Sequence, residues 1–267
     1  MTLSEAELER YSRQLVMPEW SSAAQERLRS ASAMVVGAGA LGCPAATYLV
    51  AAGIGRLGIV DDDRVELSNL HRQPLHLTPD VGARKAENAG VKLGFLNPET
   101  VIEPFPARLE ERNAEALLAG ADVVVDASDS FSTRYLVNET CCTLGTPLVE
   151  GGILGLTGLV MAIVPGESAC YRCAFPVAPE PGSVPSCREA GVLGAVGGVL
   201  GALQALEATK LVTGVGEPLR DRILQFDGAS GEPTAIATRR REDCPACAGV
   251  EVDLPARARD AETAGRP

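Results

Sequence analysis

Short apolar runs alternate with amphipathic stretches through the first 150 residues. The charged opening, residues 1–30, reads as one or two helices. Residues 33–39 (AMVVGAG) form a buried strand that runs into a glycine turn, and a helix follows over 41–52. A second strand, 56–63 (RLGIVDDD), ends in three acids. Helical periodicity returns over 82–96 and stops at Asn97-Pro98, because proline disfavours a helical residue before it. A strand near 101–105, a helix near 111–119, the strand 122–129 (DVVVDASD), a helix over 131–144 and the strand 146–152 complete the series. Such alternation predicts an α/β fold with a Rossmann-like, mostly parallel sheet and helices on both faces.

After residue 153 the alternation lapses. Residues 157–164 and 221–227 read as strands, and 176–186 (PVAPEPGSVPS) has the composition of a mobile loop. Residues 191–206 carry no charge, but 16 residues fall short of the roughly 20 that span a bilayer. Gly194/Gly198 and Gly197/Gly201 repeat a spacing that membrane helices also use. A buried core helix is the expectation. One continuous domain is expected over 1–250, with the nucleotide-binding part at about 30–150, a less regular C-terminal part, and a flexible tail over 251–267.

Composition narrows the function. Hydrophobic residues make up 46% and charged residues 22%, which suits a soluble globular chain. Aromatics are only 4%, so aliphatic side chains must fill the core. A formal net charge of -11 argues against nucleic-acid and anionic-membrane partners, which need clustered Lys and Arg. The N-terminus lacks the apolar core of a secretory signal, so the cytoplasm is expected. The eight cysteines then suggest metal binding or thiol chemistry rather than disulfides.

Gly37-Ala38-Gly39-Ala40-Leu41-Gly42 fits GxGxxG directly after a strand and opening a helix. The glycines allow a tight turn and let phosphate approach backbone N–H groups at the positive helix end. Asp61 follows 19 residues after Gly42 at the end of the second strand, where an acid accepts hydrogen bonds from ribose. NAD and ATP are served equally to this point. Arg72 and Lys85 tip the balance, since beside a triphosphate they would neutralise phosphoryl oxygens. Asp126 and Asp129 lie at the carboxyl edge of the next strand, where ligands bind α/β sheets and a carboxylate can hold Mg²⁺. For Asp126 a helix N-cap is the alternative.

Five segments, RQLVMPEW (13–20), GAGALG (37–42), DDDRVELSNLHRQ (61–73), GARKA (82–86) and DASDSFSTRYLVNE (126–139), resemble the ubiquitin-activating-enzyme superfamily in its own order. The nearest branch is the bacterial adenylyltransferases for sulfur carriers of molybdopterin, thiamine and thiolated-tRNA synthesis. The resemblance covers about residues 8 to 250. It implies that Asp61 binds ribose and that Ser68, Asn69, Arg72 and Lys85 bind phosphates, within a segment that includes Leu70 and His71. It also implies that Asp129 serves Mg²⁺ and that Arg13 reaches the ATP of the other subunit of a homodimer. The chain departs from the pattern twice. His71 stands where Gln is common, outside the charged set. Ser130 stands where Asn is common and changes one expected contact to the nucleotide.

Cys170-x-x-Cys173 and Cys244-x-x-Cys247 lie 71 positions apart, too far for a compact ribbon, though two knuckles can meet in a folded domain. Four thiolates suit structural Zn²⁺, while a single pair could be redox-active or simply buried. Many members of the resembled family carry this Cys₄ site. Cys187, beside Arg188, matches the family's loop cysteine, which forms an acyl link to the carrier in some branches and is dispensable in others. Cys43, Cys141 and Cys142 fall in helices and read as core residues.

The expected activity is ATP-dependent adenylation of the C-terminal glycine carboxylate of a small ubiquitin-like sulfur carrier with a Gly-Gly tail. The chain closes soon after Cys247, so sulfur is expected from a separate cysteine desulfurase or rhodanese-type donor. An NAD-dependent oxidoreductase is one rival, although it has no use for Arg72, Lys85 and Asp129 as a set. A non-catalytic scaffold that only binds a ubiquitin-like protein is another, although such scaffolds tend to lack those residues.

Overall fold

The computed structural model describes residues 3–180, 182–185 and 187–250, without the side chains of 187 and 188. The expected tail over 251–267 lies outside the described residues. Helices α1 (Glu5–Arg10), α2 (Ser12–Leu15) and α3 (Ser22–Ser30) lead in. Ser4 and Ser21 cap α1 and α3 by accepting N–H groups of Glu7 and Ala24, donors that the first helical turn would otherwise leave unpaired.

The alternating part follows as β1 (Ser32–Val36), α4 (Gly42–Ala52), β2 (Arg56–Val60), α5 (Lys85–Leu96), β3 (Val101–Phe105), α6 (Glu111–Leu118), β4 (Val123–Asp126), α7 (Phe131–Leu144) and β5 (Leu148–Leu154). The order β3-β2-β1-β4-β5 is parallel throughout and reverses direction between β1 and β4. Helix α5 ends where Pro98 was expected to stop it, with Asn97 extended at φ −144°. The acids at 61–63 fall beyond β2 and begin the following loop, not the strand end itself.

Period-two alternation puts Ala33 and Val35 of β1 against one helical layer, with α4 and α10 (Gly194–Thr213). Met34 and Val36 face the other, with α7 and the cysteine pairs.

Beyond β5 the same sheet continues antiparallel through β6 (Thr157–Ile163), β7 (Arg222–Asp227) and β8 (Glu232–Ala237). Between β6 and β7 lie α8 (Tyr171–Ala174), α9 (Cys187–Ala190) and α10. Helix α10 is long and apolar enough to cross a membrane, yet half of its most apolar window is buried in the fold. Its glycines explain the contact with α4, since a Cβ on Gly201 would lie 2.3 Å from the Leu41 carbonyl oxygen. It is a core helix, and it runs on past Leu206 to Thr213. Strand β8 was not expected. It forms the sheet edge, every residue in it is exposed, and Pro233 within it is tolerated there because an edge strand need not donate on both sides.

Candidate active site

The carboxyl ends of β1, β2 and β4 open onto a cleft of about 510 Å³. Its floor is the turn from β1 into α4. Gly37 sits at φ +97°, and a Cβ there would approach the Ala127 carbonyl oxygen to 3.0 Å. Gly42 does not line the cleft; a Cβ on it would lie 1.7 Å from the Gly37 carbonyl oxygen, so it lets the helix start against the turn. The N–H groups of Gly39, Ala40 and Leu41 have no hydrogen-bond partner among the described residues, and all three line the cleft. Free donors at the positive end of an 11-residue helix make an anion site.

Asp61 joins this turn to the cleft. Its carboxylate accepts the N–H groups of Ala38 and Asp63, each at 2.8 Å. Burial raises its pKa, while Lys85 opposes the shift. Lys85 is buried at the start of α5, and its Nζ contacts Asp63 Oδ2 at 2.8 Å. Asp63 is well exposed, so this ion pair is solvent-screened and an anion entering the cleft can compete for Lys85.

Arg72 lines the same cleft. Its Nη1 donates to the Ser68 carbonyl and to His71 Nε2, each at 2.8 Å. Guanidinium has no acceptor, so His71 must present an unprotonated Nε2. His71 thus touches Arg72, although it lies outside the charged set itself. Asn69 is buried, and its side chain accepts the Glu66 N–H and donates to Ser68 Oγ. Ser68, Asn69, Leu70 and His71 do not line the cleft; they shape the loop that carries Arg72.

Asp129 lines the cleft, is exposed, and makes no hydrogen bond or ion pair among the described residues. Ser130 caps α7 by accepting the Thr133 N–H, and it too lines the cleft. Asp126 is neither a cleft ligand nor the cap. It is fully buried and lies beside Glu150. Arg13 is exposed on α2 and does not line its own chain's cleft. The sequence reading passed over Gln73, which is buried against the cleft with Oε1 unpartnered among the described residues, and Arg134, which also lines the cleft. Both lay inside quoted segments, RQ and STR.

Four thiols meet on the far side of the sheet. Cys170 Sγ lies 3.8 Å from Cys173 Sγ and 3.6 Å from Cys244 Sγ, and Cys173 Sγ lies 3.4 Å from Cys247 Sγ. A disulfide would need about 2.05 Å. Four sulfurs at 2.3 Å around one tetrahedral ion lie roughly 3.8 Å apart. The Arg241 N–H donates to Cys173 Sγ at 3.3 Å, as backbone amides do toward thiolate ligands. The donor set and spacing fit a four-coordinate metal. Cys43, Cys141 and Cys142 are buried core residues, as expected. The Cys187 backbone opens α9; its side chain lies outside the described residues.

The sequence profile of the ThiF family matches residues 11–246, nearly the whole described chain. The chain belongs to the ThiF family. Similar ThiF-type chains include the sulfur carrier protein adenylyltransferase of Thermus thermophilus, 48% identical over 252 residues that cover 92% of this chain and 93% of that one. The SAMP-activating enzyme E1 of Haloferax volcanii is 47% identical, covering 95% and 93% respectively. The adenylyltransferase and sulfurtransferase MOCS3 of Drosophila grimshawi is 47% identical, but this chain spans only 55% of its length. Among solved structures, E. coli MccB with ATP superposes with a TM-score of 0.81 at 23% identity, over 92% of this chain and 76% of that one, which shows a shared fold.

Proposed function

We propose that this ThiF-family chain is an adenylyltransferase: it uses ATP to activate the C-terminal carboxylate of a small ubiquitin-like sulfur carrier ending in Gly-Gly. The observation that carries the reading is one cleft joining free N–H groups at a helix start to Arg72, Lys85 and an unpaired Asp129. A relative named a sulfur carrier protein adenylyltransferase and one named a SAMP-activating enzyme E1, both of similar length, support it. A carboxylate oxygen of the carrier attacks the α-phosphorus, the bond to the β-phosphate oxygen breaks, and pyrophosphate leaves without net proton transfer. The protein aligns these groups and spreads the developing charge over Arg72, Lys85 and the α4 amides. Asp61 holds the ribose and Asp129 would hold Mg²⁺, which neutralises phosphate charge. Cys170, Cys173, Cys244 and Cys247 would hold structural Zn²⁺.

Arg13 serves the neighbouring subunit of a homodimer, a reading supported by its exposure away from its own cleft. We place the activity in the cytoplasm. The Cys187 thiolate takes the acyl group from the adenylate and releases AMP. The persulfide of a cysteine desulfurase or rhodanese-type donor then displaces Cys187. Attack of the freed thiolate on the resulting acyl disulfide releases the thiocarboxylate and leaves a disulfide between Cys187 and the donor, which a cellular thiol reduces. The test is intact mass spectrometry of candidate carriers after incubation with the protein and ATP. A carrier–AMP adduct is expected, and absence of both adduct and pyrophosphate exchange for every carrier overturns the reading. In the same assay Cys187→Ala should form the adduct normally but delay carrier thiocarboxylate; an undelayed thiocarboxylate removes Cys187 from the pathway.

A further inference from the structure

Beneath the cleft, Asp126 and Glu150 are direct partners in the parallel register of β4 and β5. Their side chains therefore stand side by side on the face that meets α7. Both residues are 0% exposed. Asp126 Oδ1 accepts the Ser128 N–H at 2.9 Å, while Oδ2 and both Glu150 carboxyl oxygens have no hydrogen-bond donor among the described residues. Among the described residues the cation paired with Glu150 is Arg134 of α7, whose Nη1 is 3.6 Å from Glu150 Oε1 and whose Nη2 donates to the Ser128 carbonyl.

The chain makes room for this group. Glu150 is followed by two glycines, and a Cβ on Gly152 would lie 2.4 Å from Arg134 Nη1. Behind the strands, Gln204 Nε2 donates to the Asp126 carbonyl at 2.6 Å, and a Cβ on Gly151 would lie 2.4 Å from that amide.

Two adjacent carboxylates buried with one cation cannot both stay ionised. A carboxyl–carboxylate pair solves both problems at once: it halves the charge and supplies the missing donor. With one proton, the pair and Arg134 are together neutral; without it they carry one negative charge directly under a phosphate site that Arg134 itself lines. The remaining groups facing the pair do not change that balance. Cys141 of α7 is a thiol held neutral by burial, Tyr171 of α8 is a phenol pushed up to about 12 mainly by burial, and the β6 partner of Glu150 is Met161. Burial also raises the pKa of Asp126 and of Glu150, the latter well above its usual range.

We propose that Asp126 and Glu150 share one proton and that this proton is linked to nucleotide binding, so that ATP binds more tightly while the pair holds it. The proposal rests on the nucleotide-site reading above. The proton is exchanged with solvent, and reciprocity requires that ATP binding draw protons into the pair.

Calorimetric titration of ATP into the full chain, between about pH 6 and pH 9 in buffers of different ionisation enthalpy, reads the linkage directly. The nucleotide's own titration is common to every variant. For the wild type, affinity should fall by up to about tenfold per pH unit above the pair's titration, levelling off at about 5- to 150-fold in all. Glu150→Gln, which keeps a donor without the charge, should match the wild type at low pH and flatten this component; Asp126→Asn should flatten it as well. Parallel wild-type and variant curves overturn the proposal.

Melting of the ligand-free protein gives a second readout. Because the folded pair keeps a proton that the unfolded chain releases above about pH 4.3, wild-type stability should decline as pH rises to the pair's own titration and then level. Glu150→Gln should lack that slope, and an unchanged slope overturns the shared proton. A slope difference with no ATP binding by any variant overturns the linkage and the nucleotide reading together, leaving the proton pair in place.

Discussion

The two polar clusters of this chain are built in opposite ways. The cleft collects its groups at the carboxyl ends of parallel strands, and several stand without partners among the described residues: three backbone N–H groups and the Asp129 carboxylate. The cysteine cluster draws on two segments 71 residues apart and buries all four sulfurs in the second core. Unsatisfied groups facing solvent cost little and are free to take a ligand and release it. Four converging buried thiols pack as small apolar groups when neutral, and as thiolates they need a cation at their centre. The first arrangement suits turnover and the second suits holding the antiparallel half together. The contrast is testable by asking which property each cluster controls.

The largest effect should come from Asp129→Ala. If Asp129 holds Mg²⁺ as proposed, its loss should lower carrier adenylation at least about a hundredfold. Because Asp129 is exposed and unpaired, melting should stay within about 0.5 kcal/mol of wild type. A variant that adenylates normally, or one that unfolds, breaks the division between the two clusters.

Cys244→Ser should show the reverse. Removing one ligand of a structural site belongs with the most destabilising substitutions, about 4 kcal/mol or more, or a melting point lower by roughly 10 °C for a chain of this size. ATP affinity measured below the transition should change little. Metal analysis should find one zinc per wild-type chain, and metal-free protein with unchanged melting would remove the structural role.

How legible each region was in the sequence follows from its construction. The parallel half announces itself locally, because each strand, turn and helix is a contiguous run with its own period and its own stop signal. Gly37, Gly39, Asp61, Lys85 and Asp129 therefore come together around one cleft, while Gly42 lies behind the turn. Two features escaped because they exist only across strands. Asp126 was read as a ligand or a cap, since nothing in DASDS indicates that register would seat it beside Glu150, 24 positions away. Strand β8 was missed because its exposed edge needs no apolar face, although Gly228 to Gly231 before it mark a turn. Gln73 and Arg134 were visible in quoted segments but were not assigned roles, because burial against the cleft is a tertiary property.

A mid-sized effect comes from subunit mixing. Arg13 is exposed on α2 and belongs to neither cluster. If it completes a neighbour's cleft, inactive Arg13→Ala and Asp129→Ala chains should recover activity when mixed. Equal mixing with free exchange makes half the dimers mixed, each with one intact site, which gives about a quarter of wild-type adenylation for a two-fold dimer. No recovery, with exchange confirmed by mass, would assign Arg13 to its own chain or to no site.

The smallest effect separates a group that touches the ligand from one that aims it. His71 does not line the cleft, yet its Nε2 accepts from Arg72 at 2.8 Å. A glutamine there offers an amide oxygen as acceptor in its place, so His71→Gln should keep adenylation within about twofold. Alanine removes the acceptor but leaves the bond from Arg72 to the Ser68 carbonyl. A hydrogen bond to a charged group contributes about 1.5–3 kcal/mol when buried, and this one is exposed, so the loss should be near the lower end, about tenfold. It should fall on kcat/KM for ATP, with melting unchanged. Equal activity of His71→Ala and wild type would show that Ser68 alone fixes Arg72. Equal damage by Gln and Ala would mean that the imidazole does more than accept one hydrogen bond, and that the loop from Ser68 to Arg72 belongs with the groups contacting the nucleotide.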